Sequence, residues 1–119
     1  MTERSPGPTA GRVLLFGSEN IGRGDDTLGY EITVQLLKTL ANRNDRPAAI
    51  ICWNTGVRLL AEGSPVIPHL KALEQKGVPI LAGQLCVSEL ELTGKLVAGK
   101  PATMDEILDL LLHHEVVNL

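Results

Sequence analysis

The chain has 119 residues, of which 44% are hydrophobic and 21% charged, with a formal charge of -3. That length carries one domain with its own core, and the balance is that of an ordinary soluble globular chain. Lys and Arg are scattered, and the aromatic residues are Phe16, Tyr30 and Trp53. A basic patch and stacking platforms are therefore missing, which argues against nucleic-acid binding. The two cysteines, Cys52 and Cys86, form no CxxC, so neither a zinc motif nor a disulfide framework is present. No apolar run approaches the ~18 residues of a membrane helix. Val13–Phe16 is too short for a signal-peptide core. The expectation is a cytoplasmic protein with reduced thiols, bound neither to membrane nor to nucleic acid.

Met1–Gly11, rich in Pro, Gly and Thr, reads as a tail ahead of a single domain over residues 12–119. Arg12–Gly17, with the apolar run VLLF, is the first expected strand. Ser18–Gly24 is a Gly-punctuated loop at its carboxyl end. Asp25–Asn42 follows as a helix, with Leu28, Ile32, Leu36 and Leu40 as its apolar stripe, widened by Leu37 and Ala41, and Asp25 and Asp26 at its start. Ala48–Trp53 (AAIICW) is the second strand, and Asn54–Gly56 a turn. Val57–Ala61 forms a helical turn. A helix then begins at Ser64-Pro65 or at Pro68 and stops at Gly77. Val78–Ala82 is the third strand. Thr93–Pro101 is a loop with a weak strand signal at Lys95–Val97. Thr103 to Glu106 spell the capping box T-x-x-E, opening a helix through Leu112, and Glu115–Leu119 is a final edge strand.

Apolar runs alternating with amphipathic helices imply an α/β fold. The expected architecture is a three-layer α/β/α sandwich with a mainly parallel sheet of four or five strands. In such sheets ligands meet the carboxyl ends of strands. Three segments fall there. Gly22-Arg23-Gly24 opens like a dinucleotide loop, but Thr27 stands at the third Gly position and Asp25 and Asp26 would repel a pyrophosphate. Asn54-Thr55-Gly56 reads either as a plain turn or as a polar wall of the same pocket. Cys86 follows the third strand, at the mouth of a helix over Val87–Leu92, where the positive end of the helix dipole favours thiolate. The competing reading of Cys86 is a small buried hydrophobe. Cys52, inside the second strand, reads as core. His113 and His114 read as dipole partners at a helix end, and His69 as a solvated residue. No metal or organic cofactor is expected.

The segments GRGDDTLG (Gly22–Gly29), NTGVRLLAEGS (Asn54–Ser64), LKALEQKGVPIL (Leu70–Leu81), Cys86 and KLVAGKPATMDEI (Lys95–Ile107) together resemble the DsrE-like family. The similarity is greatest to the C-terminal domain of YedF-type "sulfurtransferase-like selenium metabolism" proteins and runs from about Val13 to Leu112. The resemblance implies an α/β/α sandwich, a homo-oligomer (trimer or dimer) and a cysteine able to carry sulfur as a persulfide. That cysteine falls on Cys86. Gly83-Gln84-Leu85-Cys86 stands where those proteins read C-G-T-C, so the first thiol of the pair is replaced by Gly83. Full-length relatives also carry a TusA-like domain, which here would have to be a separate partner.

The expected function is sulfur relay: Cys86 takes sulfane sulfur from a donor protein and passes it to an acceptor. Ser18, Gly22, Arg23, Gly24, Asn54, Thr55 and Gly56 form the substrate-binding loops. The alternatives are a small-ligand or regulatory module using those loops, and a non-catalytic subunit of a sulfur-transfer complex.

Overall fold

The computed structural model describes residues 11–119. Apart from Gly11, the expected N-terminal tail lies outside the described residues. Five strands form one all-parallel sheet. They are β1 (Arg12–Phe16), β2 (Ala49–Cys52), β3 (Ile80–Gly83), β4 (Lys100–Ala102) and β5 (Glu115–Asn118), ordered β4-β3-β2-β1-β5 across the sheet. The helices are α1 (Asp26–Ala41), α2 (Ile67–Gln75), α3 (Gln84–Glu89) and α4 (Met104–His113), with a 3-10 helix at Asn54–Leu60. The three-layer α/β/α architecture is therefore as the alternation of apolar runs and helices predicts.

The strands read as continuous apolar runs because each is covered on both faces. Side chains alternate between two cores. Phe16, Ile50, Cys52, Ile80 and Ala82 pack with Leu37 of α1, Leu70 and Leu73 of α2 and Val87 of α3. Val13, Leu15, Ala49, Ile51, Leu81 and Ala102 pack with Ile107 of α4. The chain steps one way across the sheet from β1 to β4, so its first crossovers share a face. It then returns over the other face through α4 to reach β5. Each fully buried Val, Leu, Ile or Phe contributes about 1.5–3 kcal/mol, so these two layers outweigh any surface ion pair.

Several local expectations need correction. On α1 the buried stripe is Gly29, Thr33, Leu37 and Ala41: Leu37 and Ala41 are as expected, and Gly29 and Thr33 take the place of Leu28 and Ile32. Leu28 and Ile32 are 54% and 42% exposed. The cause is close packing. A Cβ on Gly29 would lie 2.8 Å from the Ile21 carbonyl oxygen, and the Thr33 hydroxyl donates to the Glu19 carbonyl at 2.8 Å. Small residues thus let α1 sit down on the Ser18–Ile21 loop. The third helix begins at Gln84, earlier than Val87. Lys95–Val97 is not a strand. Leu96 makes an isolated antiparallel bridge to Ala61, and β4 forms at Lys100–Ala102 instead. Pro101 is tolerated there because β4 is an edge strand. α2 starts at Ile67, which puts Pro68 in its first turn and Ser64-Pro65 outside it. His69 is half-buried.

The ends of the elements follow their capping residues. Asp25 accepts the Leu28 N–H at 2.9 Å, capping α1. The capping box of α4 is present in both directions between Thr103 and Glu106. Nδ1 of His113 and of His114 lies 2.6 and 3.0 Å from the carbonyl oxygens of Asp109 and Leu110, closing the last turn. Gly77 takes φ 89° directly after α2, the left-handed stop that favours glycine.

Candidate functional site

The carboxyl ends of β1, β2 and β3 converge on one edge of the sheet, and Cys86 lies there. It is the third residue of α3, half-buried, with its body against the Phe16 and Cys52 side of the core. Its Sγ accepts the backbone N–H of Asn54 at 3.1 Å. The local chain explains why that N–H is free. Asn54 is the first residue of the 3-10 helix, whose first N–H groups have no partner within the helix. Trp53, at the N-cap, supplies no side-chain acceptor. Asn54 itself adopts φ 50°, a left-handed conformation that Asn tolerates better than most residues. The sulfur of Cys86 thus occupies the place of a cap. A thiolate accepts such a bond more strongly than a thiol does.

Two glycines make the approach possible. A Cβ on Gly56 would lie 2.2 Å from the Phe16 carbonyl oxygen, so only glycine lets the 3-10 helix pack on the end of β1. A Cβ on Gly83 would stand 3.3 Å from both Cys86 Sγ and Trp53 Cβ. At that position a larger residue presses directly on the sulfur.

Beside the sulfur opens a cavity of about 430 Å³, lined by Trp53, Asn54, Gly83, Gln84, Leu85, Cys86, Glu89, Leu90, Ala102, Met104 and Ile107. Its size falls in the ordinary range for small-molecule sites. Of the loop residues singled out from the sequence, Asn54 lines this cavity with Cys86. Ser18, Gly22, Arg23, Gly24, Thr55 and Gly56 do not line it. The Ser18 hydroxyl donates to the Asn20 carbonyl and accepts the Asn20 N–H, both at 2.8 Å, which closes its loop on itself. Gly22 and Gly24 take φ 82° and 118°, and Arg23 is exposed. Glu19 and Arg58 approach to 3.9 Å, linking that loop to the 3-10 helix. Burial and the Glu19 carboxylate together push the Tyr30 hydroxyl above its usual range.

The remaining wall comes from β4 and the start of α4. Ala102 carried no functional signal in the sequence because β4, which delivers it, was not legible there, and Met104 and Ile107 read only as apolar positions of the expected α4. Trp53 had one: an aromatic residue directly after an apolar strand run.

Cys52 is a different kind of thiol. It is buried, and desolvation pushes its thiol up to about 12. Both cysteines are free. Among the described residues no group of three His, Cys, Asp or Glu could hold a metal ion, and no helix is long and apolar enough to cross a membrane.

No protein-family model matches the chain, and no curated protein matches it significantly. Solved structures do. The ychN protein from E. coli superposes with a TM-score of 0.64 at 13% identity, over 92% of this chain and 99% of that one. BT1422 from Bacteroides thetaiotaomicron, a conserved protein of unknown function, gives 0.60 at 18% identity over 92% and 95%. MTH1491 from Methanobacterium thermoautotrophicum, also of unknown function, gives 0.60 at 15% identity over 91% and 98%. At these identities the likeness is one of fold: the chain shares, along nearly its whole described length, the α/β fold of this group of bacterial and archaeal proteins.

Proposed function

We propose that the chain is a DsrE-like sulfur carrier that holds sulfane sulfur as a persulfide on Cys86. It works in the cytoplasm as a homo-oligomer, between a donor protein and an acceptor protein, with a TusA-like protein as the candidate partner. The observation that carries this reading is the Asn54 N–H on Cys86 Sγ, at the wall of an open cavity. The sulfur is reachable and its anionic form has a donor. Ser18, Gly22, Arg23, Gly24 and Thr55 follow β1 and β2, on the edge where Cys86 stands, and we assign them to the surface that meets the partner; Gly56 is buried and serves to seat the 3-10 helix on the end of β1.

The steps balance without an external oxidant. The Cys86 thiolate attacks the outer sulfur of a donor persulfide, R–S–SH. The donor S–S bond breaks, the donor leaves as R–S⁻, and Cys86 holds S–SH. An acceptor thiolate then attacks that outer sulfur, and Cys86 leaves as thiolate. Rate follows the thiolate fraction of the attacking group, tempered by the weaker nucleophilicity of a more acidic thiol.

Intact-mass spectrometry after incubation with a persulfide donor tests this. Wild type and Cys52→Ser should gain one sulfur mass, and Cys86→Ser should not. No gain in any of the three refutes the reading. Gain in Cys86→Ser but not in Cys52→Ser would move the chemistry to the other thiol. The same 3.1 Å contact also favours a second reading, in which Cys86 is simply the cap of the 3-10 helix and the cavity holds a small regulatory ligand. A small molecule that co-purifies with the protein, together with an inert Cys86, would select that reading.

A further inference from the structure

Resting on the sulfur-carrier reading, we infer that the cavity selects donors whose group next to the persulfide, on a small molecule or at the cysteine of a donor protein, is uncharged and apolar, and that Glu89 is the residue that turns anionic ones away. The walls around Cys86 are Trp53, Leu85, Met104 and Ile107, and Glu89 is the one charged side chain among the lining residues. Among the described residues no Lys, Arg or His lines the cavity. Cys86 and Glu89 are three apart on α3, which places them as neighbours on the helix surface. A donor carrying a carboxylate would therefore enter against a like charge, with no cation to compensate. It would also exchange water for apolar walls, which costs a carboxylate far more than an alkyl or aryl group. The leaving group adds to this preference. The departing R–S⁻ finds no cation in the lining, so thiols that are themselves acidic leave most readily.

The test uses a matched pair of donors that differ by one charge: N-acetylcysteine persulfide and its methyl ester. Loading of Cys86 is followed by intact mass, and each rate is divided by that of a free model thiol under the same conditions. The ester should load roughly fivefold faster than the acid, the effect of one like charge about 4 Å away and screened by water, as the exposure of Glu89 requires. Glu89→Gln should narrow that ratio, and Met104→Lys, which puts a cation on the wall, should invert it. Both positions are exposed, so the fold tolerates the changes. Equal loading by the two donors overturns the inference and leaves the carrier reading standing. A ratio that Glu89→Gln does not change removes Glu89 from the explanation and overturns its assignment. Failure of both donors to load Cys86 refutes the carrier reading itself, and the inference with it.

Discussion

The two thiols of this chain differ in the bonds and the water around them. Cys52 pairs in register with Phe16 and Ala82, and its side chain is enclosed between the sheet and α1 and α2. Burial penalises its charged form and pushes it up to about 12 from an ordinary value of 9.0. The native state then holds a proton that the unfolded state has released. Stability is whole below pH 9.0 and falls as pH rises toward about 12. Urea titrations across that window should show the decline in wild type and a flatter profile in Cys52→Ala. In a Cys86→Ser background, Cys52 should resist alkylation at pH 8 in the native state and react once urea unfolds the chain. Cys52 was legible as core because it lies between Ile51 and Trp53 in the continuous apolar run AAIICW. Cys86 was legible as exceptional because it follows a strand. Its actual hydrogen-bond donor was not legible, since the donor is a backbone N–H 32 residues away, freed by the left-handed turn of Asn54.

At the scale of elements, periodicity located α1 and α4 well and misjudged the buried face of α1. A hydrophobic stripe reports where apolar side chains stand. It does not report where two backbones come closest, and on α1 that place belongs to Gly29 and Thr33. β4 was hidden for a related reason: three residues with Pro101 in the middle carry no strand signal, and only pairing with β3 defines it. α4 was the clearest element because its start is written in the capping box. That box also holds one wall of the cavity, since Met104 lies within it and Ile107 follows it immediately. Thr103→Ala should lower stability by about 1 kcal/mol in urea titrations, the usual worth of an N-cap. It should also speed hydrogen exchange in the first turn of α4 ahead of the rest of the sheet. Glu106 is held below its ordinary range by the Thr103 N–H and hydroxyl, with Lys100 adding to them. The box therefore stabilises α4 fully above the usual Glu range and loses that contribution as pH falls through the depressed value.

Among the described residues, one sheet face carries α1, α2 and α3, while the other is crossed by α4 alone. That asymmetry leaves Met104, Leu108 and Leu112, spaced four apart on α4, 60%, 44% and 71% exposed. Leu85 and Met104 join this stripe to the cavity. This apolar stripe is the surface we assign to the proposed homo-oligomer. Light scattering at micromolar concentration should report an oligomer, and Leu108→Glu with Leu112→Glu should shift it toward monomer while circular dichroism stays native. A wild-type monomer at that concentration would refute the homo-oligomer. The layer order was legible in the sequence, because alternating apolar runs admit few parallel arrangements. The uneven cover of the two faces was not, because it depends on which way each crossover turns.

The order of the strands has a consequence for birth as well as for function. β1 is an inner strand, yet one of its two neighbours is β5, which pairs Arg12 with Glu115. During synthesis the VLLF edge of β1 must wait for the roughly 100 residues that separate it from β5, on the order of 5–20 s at ordinary elongation rates. Through that interval the nascent chain offers an open, apolar, parallel edge, the template on which chains aggregate. Five residues, Glu115 to Leu119, therefore act as a closing seam. Lost to proteolysis or a premature stop, they would leave α1, α2 and the cavity residues in place and turn a central strand into a sticky margin.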